Sequence, residues 1–422
     1  MSAGYIVVEQ SGPLVGEVSL SGAKNAVLVI MASLLLTRGK SVLRNVPALS
    51  DVYDMIAILE SVGVQTVFDA QKNILEIDTT HIDIAHINQD AVRKFRASLL
   101  IFGPILAQFS KVQVAMPGGD AIGARPLDYH IKNFKKLGAD VHQDANFLYG
   151  SCTTMKPQRL VLDYPSVGAT ENLLMALTLV EGESYIINAA LEPEVLDLIV
   201  VLQKMGADIE ICPPAGIKIK GVKNLKPVDH TIICDRLEAG SLLIAASITK
   251  GDIYIPNANA LEMELVLMKL EEMGHTITIG ADGLGIRLQA TQNPQAVSFK
   301  TGPFPGFPTD LQSPMMAAQV VAAGSCNIVE TVFENRFLHV PEMNKMGATI
   351  SASGHYAQLT GSSQLIGTEV KATDIRAACA LALLGLAAQG TTRVAHGVHH
   401  WKRGYETLDV KLRSLGASIL LQ

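Results

Sequence analysis

The stretch Leu202-Gln-Lys-Met-Gly-Ala-Asp-Ile-Glu210, LQKMGADIE, decides how the chain is to be read. It holds the end of an amphipathic helix, a glycine, and residues that alternate as a half-buried strand does. A glycine just past the last helical residue takes the left-handed conformation that stops a helix, at no steric cost. The phrase recurs as LESVGVQTV, FKKLGADVH, LEEMGHTIT, MNKMGATIS and LRSLGASIL. The six glycines, Gly63, Gly138, Gly206, Gly274, Gly347 and Gly416, lie 68 to 75 residues apart. That spacing is too long for the usual solenoid repeats. A helix, a glycine and a strand are ordinary α/β grammar, and one copy would mean little.

Between these copies runs a second phrase: a small or hydroxyl start, an apolar helix, a Gly or Lys turn, then a β-branched strand. SVGATENLLMALTLVEGESYIINA and DRLEAGSLLIAASITKGDIYIPNA are two of its six copies, and the others begin at Ser21, Phe95, Pro308 and Ala372. Their helices are rich in Ala, Leu and Met on every side, the pattern of helices buried all round. Six copies of two phrases in alternation make chance recurrence a poor account. The chain reads as six units of roughly 70 residues, grouped as two α/β domains of three units each.

Length agrees: 422 residues exceed what one hydrophobic core fills, and two domains of roughly 200 residues fit. Hydrophobic residues make up 48% and charged residues 18%, so the interior is ample. Mean hydropathy is positive. The most apolar runs, residues 26–36 and 377–388, are nevertheless shorter than the ~18–20 residues of a spanning helix. They read as core helices, and no membrane association is expected. The opening MSAGYIVVEQSG lacks a basic region followed by an apolar one, so export is not expected. Cys152, Cys212, Cys234, Cys326 and Cys379 are scattered without a C-x-x-C pair. This fits reduced thiols in a cytoplasm rather than a disulfide framework or a zinc site. A net charge of −6 without a long basic run argues against nucleic acid as a partner. No P-loop or dinucleotide fingerprint is present, so neither a metal nor an organic cofactor is expected. On oligomeric state the sequence is silent.

Chemistry concentrates in Val114–Ile131, VAMPGGDAIGARPLDYHI. An apolar strand leads into a glycine-rich loop with Asp120 at its tip, followed by Arg125 and His130. Glycines let backbone approach a ligand closely, and arginine grips phosphate or carboxylate in a planar fork. The apolar helices begin with small or hydroxyl residues, as at Ser166-Val167-Gly168, which leave N–H groups free at a partly positive terminus. Several such termini converging would make an anion site.

LSGAKNAVL, PGG-x-AIGARP-x-D-x-HI, SVGATEN, NAALEPEV, DRLEAG, PGFPTDLQ, ETVFENRF-x-HVPE, ATD-x-RA and RGYE follow one another from Leu20 to Glu406. In this order they resemble the UDP-N-acetylglucosamine enolpyruvyl transferases. Those enzymes take the first committed step of peptidoglycan synthesis, on which the cell wall, cell shape and cell division depend. Nine collinear motifs make the resemblance specific over essentially the whole chain. It implies an inside-out α/β barrel, two domains each of three βαβαββ repeats. One domain would comprise residues 1–21 and 229–422 and the other 22–228, closing over a cleft with the 117–125 loop as lid. The implied reaction moves enolpyruvate from phosphoenolpyruvate to the 3′-hydroxyl of UDP-N-acetylglucosamine and releases phosphate by addition and elimination. Such chemistry needs cations on phosphate and carboxylate, a base for the hydroxyl and an acid for C3 of phosphoenolpyruvate.

By the same resemblance Lys24 is a phosphoenolpyruvate contact and Asn25 an orienter of the reacting centre. Taken alone, the pair reads as a solvated helix cap. Arg125 and Arg403 match further phosphate-binding cations, and Arg96, Arg336 and Arg376 match cleft arginines, some of them on the carboxylate. Asp374 beside Arg376 also suits a structural ion pair. Asp310 in FPTDLQ matches the base that takes the 3′-hydroxyl proton, where its position alone equally allows a helix cap. Ser166, Val167 and Gly168 match diphosphate contacts, Arg125-Pro126-Leu127-Asp128 the uracil and ribose pocket, and His130 a further UDP-side contact. Glu192 in NAALEPEV, Asp235 in DRLEAG and Val332 in ETVFENRF complete the substrate-binding set. Tyr164-Pro165 stands where some relatives carry a phosphate-contacting lysine, a departure from the family pattern.

Most of the family has cysteine where Asp120 stands, and there the thiol is assigned as proton donor to C3. Unperturbed, cysteine titrates near ~8.5 and aspartate near ~3.9, so Asp120 must be raised to donate at neutral pH. Bound anionic substrates raise it, and Arg125 lowers it. A turn residue without catalytic role is the plain alternative. Without the thiol, insensitivity to fosfomycin, an epoxide that alkylates it, is expected. Two other functions stay open at this point. One is a 5-enolpyruvylshikimate-3-phosphate synthase-like transferase, whose start motif is GSKS-like rather than SGAKN. The other is a non-catalytic UDP-sugar-binding paralogue.

Overall fold

All six repeated glycines stop a helix with positive φ, from 84° at Gly63 to 106° at Gly206 and Gly416. The computed structural model describes residues 4–362 and 364–422. The helices that end at these glycines are Ser50–Ser61, Asp128–Lys136, Pro193–Met205, Glu264–Glu272, Val340–Lys345 and Leu408–Ser414, and a strand follows each. The second phrase becomes six apolar helices: Lys24–Ser33, Phe102–Phe109, Val167–Leu177, Arg236–Thr249, Gln312–Val321 and Ile375–Gly385. Every residue of Arg236–Thr249 and of Ile375–Gly385 is buried, as helices without a polar face must be.

The strands form six small sheets, and five of them share one pattern. In one, Glu183–Ile187 runs parallel to Arg159–Val161 and antiparallel to Gly216–Lys220, which pairs in turn with Asp208–Cys212. The sixth sheet, Lys111–Ala115 with Phe147–Ser151 and Asp140–Gln143, has no parallel strand among the described residues. Five repeats are thus βαβαββ units and the sixth is the same unit without its leading strand among the described residues, with buried helices inside and sheets outside, the inside-out α/β barrel.

The chain divides into two units. The first comprises Met1–Ser21, Asp120–Arg125 and Cys234–Gln422, and the second Gly22–Gly119 and Pro126–Ile233. Strand pairing explains the crossovers. In the first unit Val15–Glu17 runs parallel to Asp252–Asn259, and in the second Asp229–Thr231 runs parallel to Lys40–Arg44. Residues 229–231 complete a sheet of the second unit, and the first unit resumes at Cys234. The segment Asp120–Arg125 groups with the first unit although its flanks belong to the second.

Within the first unit the two crossovers are tied together. The Asp235 N–H donates to the Ser21 carbonyl at 2.9 Å. The Ser21 N–H donates to Glu238 Oε2 at 2.8 Å. Lys411 Nζ bonds Glu238 Oε1 at 2.7 Å and Ser21 Oγ at 2.8 Å. The last sheet of this unit centres on Tyr5–Glu9, which lies between Thr391–Ala395 and Ser418–Leu421.

Candidate active site

Asp310 lies in the single turn Thr309–Leu311 that leads into Gln312–Val321. Its carboxylate does not serve as the cap of that helix; it meets two arginines. Arg336 Nη2 donates to Oδ1 at 2.8 Å and Arg376 Nη2 to Oδ2 at 3.2 Å. The arginine side chains are 3% and 5% exposed and that of Asp310 28%. Guanidiniums so buried are costly unless paired, and Nη1 of each has no hydrogen-bond partner among the described residues. Aromatic faces help to hold both: Arg336 lies over Phe333 at 5.6 Å and Arg376 over Tyr405 at 5.2 Å. Asp374 makes no ion pair with its neighbour; its Oδ1 accepts the backbone N–H groups of Arg376 and Ala377 and so caps Ile375–Gly385.

Asp120–Arg125 packs on the same unit. The Ala124 N–H donates to Glu334 Oε1 at 2.8 Å and the Asn335 N–H to the Ile122 carbonyl at 3.0 Å. A Cβ on Gly123 would fall 2.6 Å from Glu334 Oε2, so the loop backbone lies directly against that carboxylate. Asp120 Oδ1 accepts from Arg403 Nη1 at 2.8 Å, and His400 Nδ1 lies 3.8 Å from the same oxygen. Burial lowers the His400 imidazole from its ordinary value, with Asp120 opposing. Arg125, the cation expected beside the Asp120 carboxylate, donates instead to the Asp120 backbone carbonyl. It also stacks on Phe333 at 5.8 Å. Its φ of 43° is a sparsely populated conformation for a residue with a side chain. Burial lowers the Arg125 guanidinium from its ordinary value, and Asp120 opposes this.

In the second unit Lys24 opens Lys24–Ser33, with Nζ 3.6 Å from Asp51 Oδ2. Asn25 beside it is exposed. The cap position belongs to Ala23, so neither residue is the helix cap their types allowed. Arg96 starts the short helix Arg96–Ile101. Burial, reinforced by Arg96, pushes the His130 imidazole down to about 3. A Cβ on Gly168 would lie 3.8 Å from His130 Nε2, while His130 Nδ1 is buried without a hydrogen-bond partner among the described residues. Ser166 accepts from the Ala169 N–H at 3.4 Å, but its own N–H donates to the Tyr164 carbonyl at 2.7 Å. Of the three expected donors, Ser166 is therefore committed within the chain. Leu127 is buried, and Pro126 and Asp128 are exposed.

The structure thus gathers Asp310, Arg336 and Arg376, and separately Asp120 and Arg403, in the first unit. In the second it groups Arg96, His130 and Gly168. Three expected binding residues have local structural work as well. Asp235 caps Arg236–Thr249 through the Leu237 and Glu238 N–H groups. Glu192 holds the cap position of Pro193–Met205. Glu171 is fully buried, and its carboxyl rises well above the ordinary value through burial first, then Glu194 and Glu192. Val332 has its N–H committed to Glu330 Oε1 at 2.8 Å.

Glu330 was not singled out by sequence reasoning. Fully buried, it accepts the Val332 and Phe333 N–H groups on Oε1 and the Thr309 hydroxyl on Oε2, at 3.0 Å for the last. It joins the segment bearing Phe333 and Arg336 to the turn bearing Asp310. Its only signal was its place at the head of ETVFENRF. Tyr405, likewise missed, lies in RGYE. The Asp51 partner of Lys24 carried no signal at all.

Comparison with known proteins follows the same lines. Residues 8–412 match the family described as EPSP synthase (3-phosphoshikimate 1-carboxyvinyltransferase). UDP-N-acetylglucosamine 1-carboxyvinyltransferase 1 of Caldanaerobacter subterraneus subsp. tengcongensis is 45% identical over 98% of both chains. UDP-N-acetylglucosamine 1-carboxyvinyltransferase 2 of Staphylococcus saprophyticus is 46% identical, again over 98% of both. Among solved structures, the enolpyruvyl transferase NikO from Streptomyces tendae superposes with a TM-score of 0.90 at 23% identity, covering 100% of this chain and 99% of that one. EPSP synthase from Acinetobacter baumannii gives 0.74 at 15% identity, covering 99% and 100%. The structural likenesses show the fold. The sequence relatives favour the UDP-sugar enzymes over the shikimate reading.

Proposed function

Because the chain belongs to the UDP-N-acetylglucosamine 1-carboxyvinyltransferases, we propose that it transfers the enolpyruvyl group of phosphoenolpyruvate to the 3′-hydroxyl of UDP-N-acetylglucosamine. Phosphate is released, and the product enters peptidoglycan synthesis. The observation that carries the assignment of roles is the Asp310 carboxylate clasped by two buried guanidiniums whose Nη1 donors remain uncommitted.

In this reading Asp310, more exposed than either arginine, takes the hydroxyl proton as the sugar oxygen bonds to C2. Arg336 and Arg376 fix its orientation and lend positive charge where the carboxylate of the adduct forms. Asp120 in its protonated form delivers hydrogen to C3. Arg403, which pairs with Asp120 here, exchanges that partner for the phosphate group, and the carboxylate takes up its proton as the anion arrives. In the elimination step C3 returns a proton to Asp120, the C2–O bond to phosphate breaks, and the double bond re-forms. Lys24, Arg125 and Arg403 neutralise the phosphate, and Asn25 orients the reacting centre. The Val167 and Gly168 N–H groups receive the diphosphate at a helix N-terminus. His130, neutral at physiological pH, Arg96, Leu127 and Asp128 line the nucleotide side. Among the described residues no helix is long and apolar enough to cross a membrane, and all five cysteines are free. Both fit a reaction run in the cytoplasm.

The test is phosphate release with phosphoenolpyruvate and either UDP-N-acetylglucosamine or shikimate 3-phosphate as acceptor. Release with the UDP-sugar alone, abolished by Asp310→Ala, is the expected result. Release with shikimate 3-phosphate overturns the substrate assignment, and turnover that survives Asp310→Ala overturns the base.

A further inference from the structure

Tyr405 is buried, and no step of the proposed reaction uses it. Its ring faces the Arg376 guanidinium at 5.2 Å. Its hydroxyl lies 3.2 Å from Ser241 Oγ, while Ser241 gives its single proton to the Leu237 carbonyl at 2.8 Å. The phenol is therefore the donor to Ser241, which pins the ring to Arg236–Thr249. Arg376 belongs to Ile375–Gly385 and reaches Asp310 just ahead of Gln312–Val321. Tyr405 and Arg376 together link two of the buried helices of the unit to the turn that leads into the third, at the end where Asp310 sits.

Side-chain hydrogen bonds join Arg376 to Asp310 and to the Tyr405 hydroxyl, and the second is already absent at the phenylalanine that starts the fluorinated series. The Arg376 bond to Asp310 is 3.2 Å against 2.8 Å for Arg336, and its Nη1 has no hydrogen-bond partner among the described residues. A desolvated guanidinium over an aromatic face is held by the ring quadrupole, and the Tyr405 ring supplies a further constraint.

We infer that Tyr405 is a positioning residue, whose ring face sets where the Arg376 guanidinium stands and, through it, how basic Asp310 is. The inference rests on the reading of Asp310 as the base. The other charged groups in play are Arg336 on the same carboxylate, Arg125 within electrostatic range of Asp310, and Asp235 within range of Arg376. The Cys379 thiol neighbours the Tyr405 hydroxyl. None of these changes in the test.

The experiment replaces Tyr405 with phenylalanine and then with phenylalanines carrying one, two and three ring fluorines, which keep the ring's shape while draining charge from its face. kcat and KM are measured from pH 5 to 9, with Asp310→Asn in parallel. Along the series kcat should fall about tenfold, while KM for both substrates moves less than about threefold. The acid limb of kcat should move to higher pH by up to about one unit, because a looser Arg376 leaves the carboxylate easier to protonate. A packing role would leave the series flat, since shape is constant, and a flat series overturns the inference. Turnover retained in Asp310→Asn refutes the base reading itself. A flat series beside a dead Asp310→Asn refutes only the role of Tyr405.

Discussion

Changing Glu238 to Gln removes an ionisable group from the knot that ties both crossovers of the chain. Burial pushes the Glu238 carboxyl up to about 7 from an ordinary 4.5; Lys411 and the Ser21 N–H oppose this, and Asp235 adds to it. Between pH 4.5 and 7 the folded unit holds a proton that the unfolded chain has released. Stability changes with pH in proportion to the protons bound unfolded minus those bound folded. That difference is negative in this window, so the Glu238 contribution is most favourable below pH 4.5 and declines as pH rises through 7. The displacement from 4.5 to about 7, at about 1.4 kcal/mol per pH unit, amounts to about 3 kcal/mol. Glutamine keeps the shape and an acceptor for the Ser21 N–H but does not titrate. The assay is urea unfolding followed by the fluorescence of Trp401, the single tryptophan, which is buried in the same unit. Between pH 4.5 and 8 the wild type should lose about 3 kcal/mol relative to Glu238→Gln. A gap between the two proteins that stays constant across this range would refute the reasoning.

Three further outcomes are expected. Fosfomycin should leave no adduct mass on the chain, whereas Asp120→Cys should gain one; alkylation of the unaltered loop would contradict the reading of Asp120. Gly404→Ala places a Cβ 2.2 Å from Ile375 Cγ2 and should cost about 1–3 kcal/mol in the same fluorescence assay; an unchanged midpoint would count against the packing described. His130, held at about 3 by burial, should show no titration of its ring resonances in NMR spectra between pH 8 and 5. Its share of stability is full above about pH 6.5 and lost only as pH falls toward 3, and a midpoint near 6.5 would place it outside the interior.

The repeat was legible because it is local. A helix stop at Gly206 and the strand after it depend on neighbours within a few positions, and the same grammar at the other five glycines yields the same element. The motif arginines were legible as a set, but their partners were not. Arg403 meets Asp120 across 283 positions of sequence and Arg376 meets Asp310 across 66. Nothing in residue type says that Arg125 would turn to a backbone carbonyl instead. Asp374 and Arg376, adjacent enough to suggest a pair, part because the free N–H groups of a helix start compete for the carboxylate. The strand Asp229–Thr231 was illegible for a similar reason: three residues long, it is defined by its partner Lys40–Arg44 rather than by its own pattern.

The sheet built around Tyr5–Glu9 also has a bearing on how the molecule is made. Both neighbours of that strand, Thr391–Ala395 and Ser418–Leu421, are the last two of the described strands to leave the ribosome. At about 5–20 residues per second, the strand waits on the order of 20 to 80 s for them. Meanwhile Gly22–Ile233, which holds the whole second unit, has already emerged and can close its own sheets. Translation thus matures the interrupting unit first and leaves its host open, with an apolar Ile6 and Val8 pair that a chaperone has time to shield.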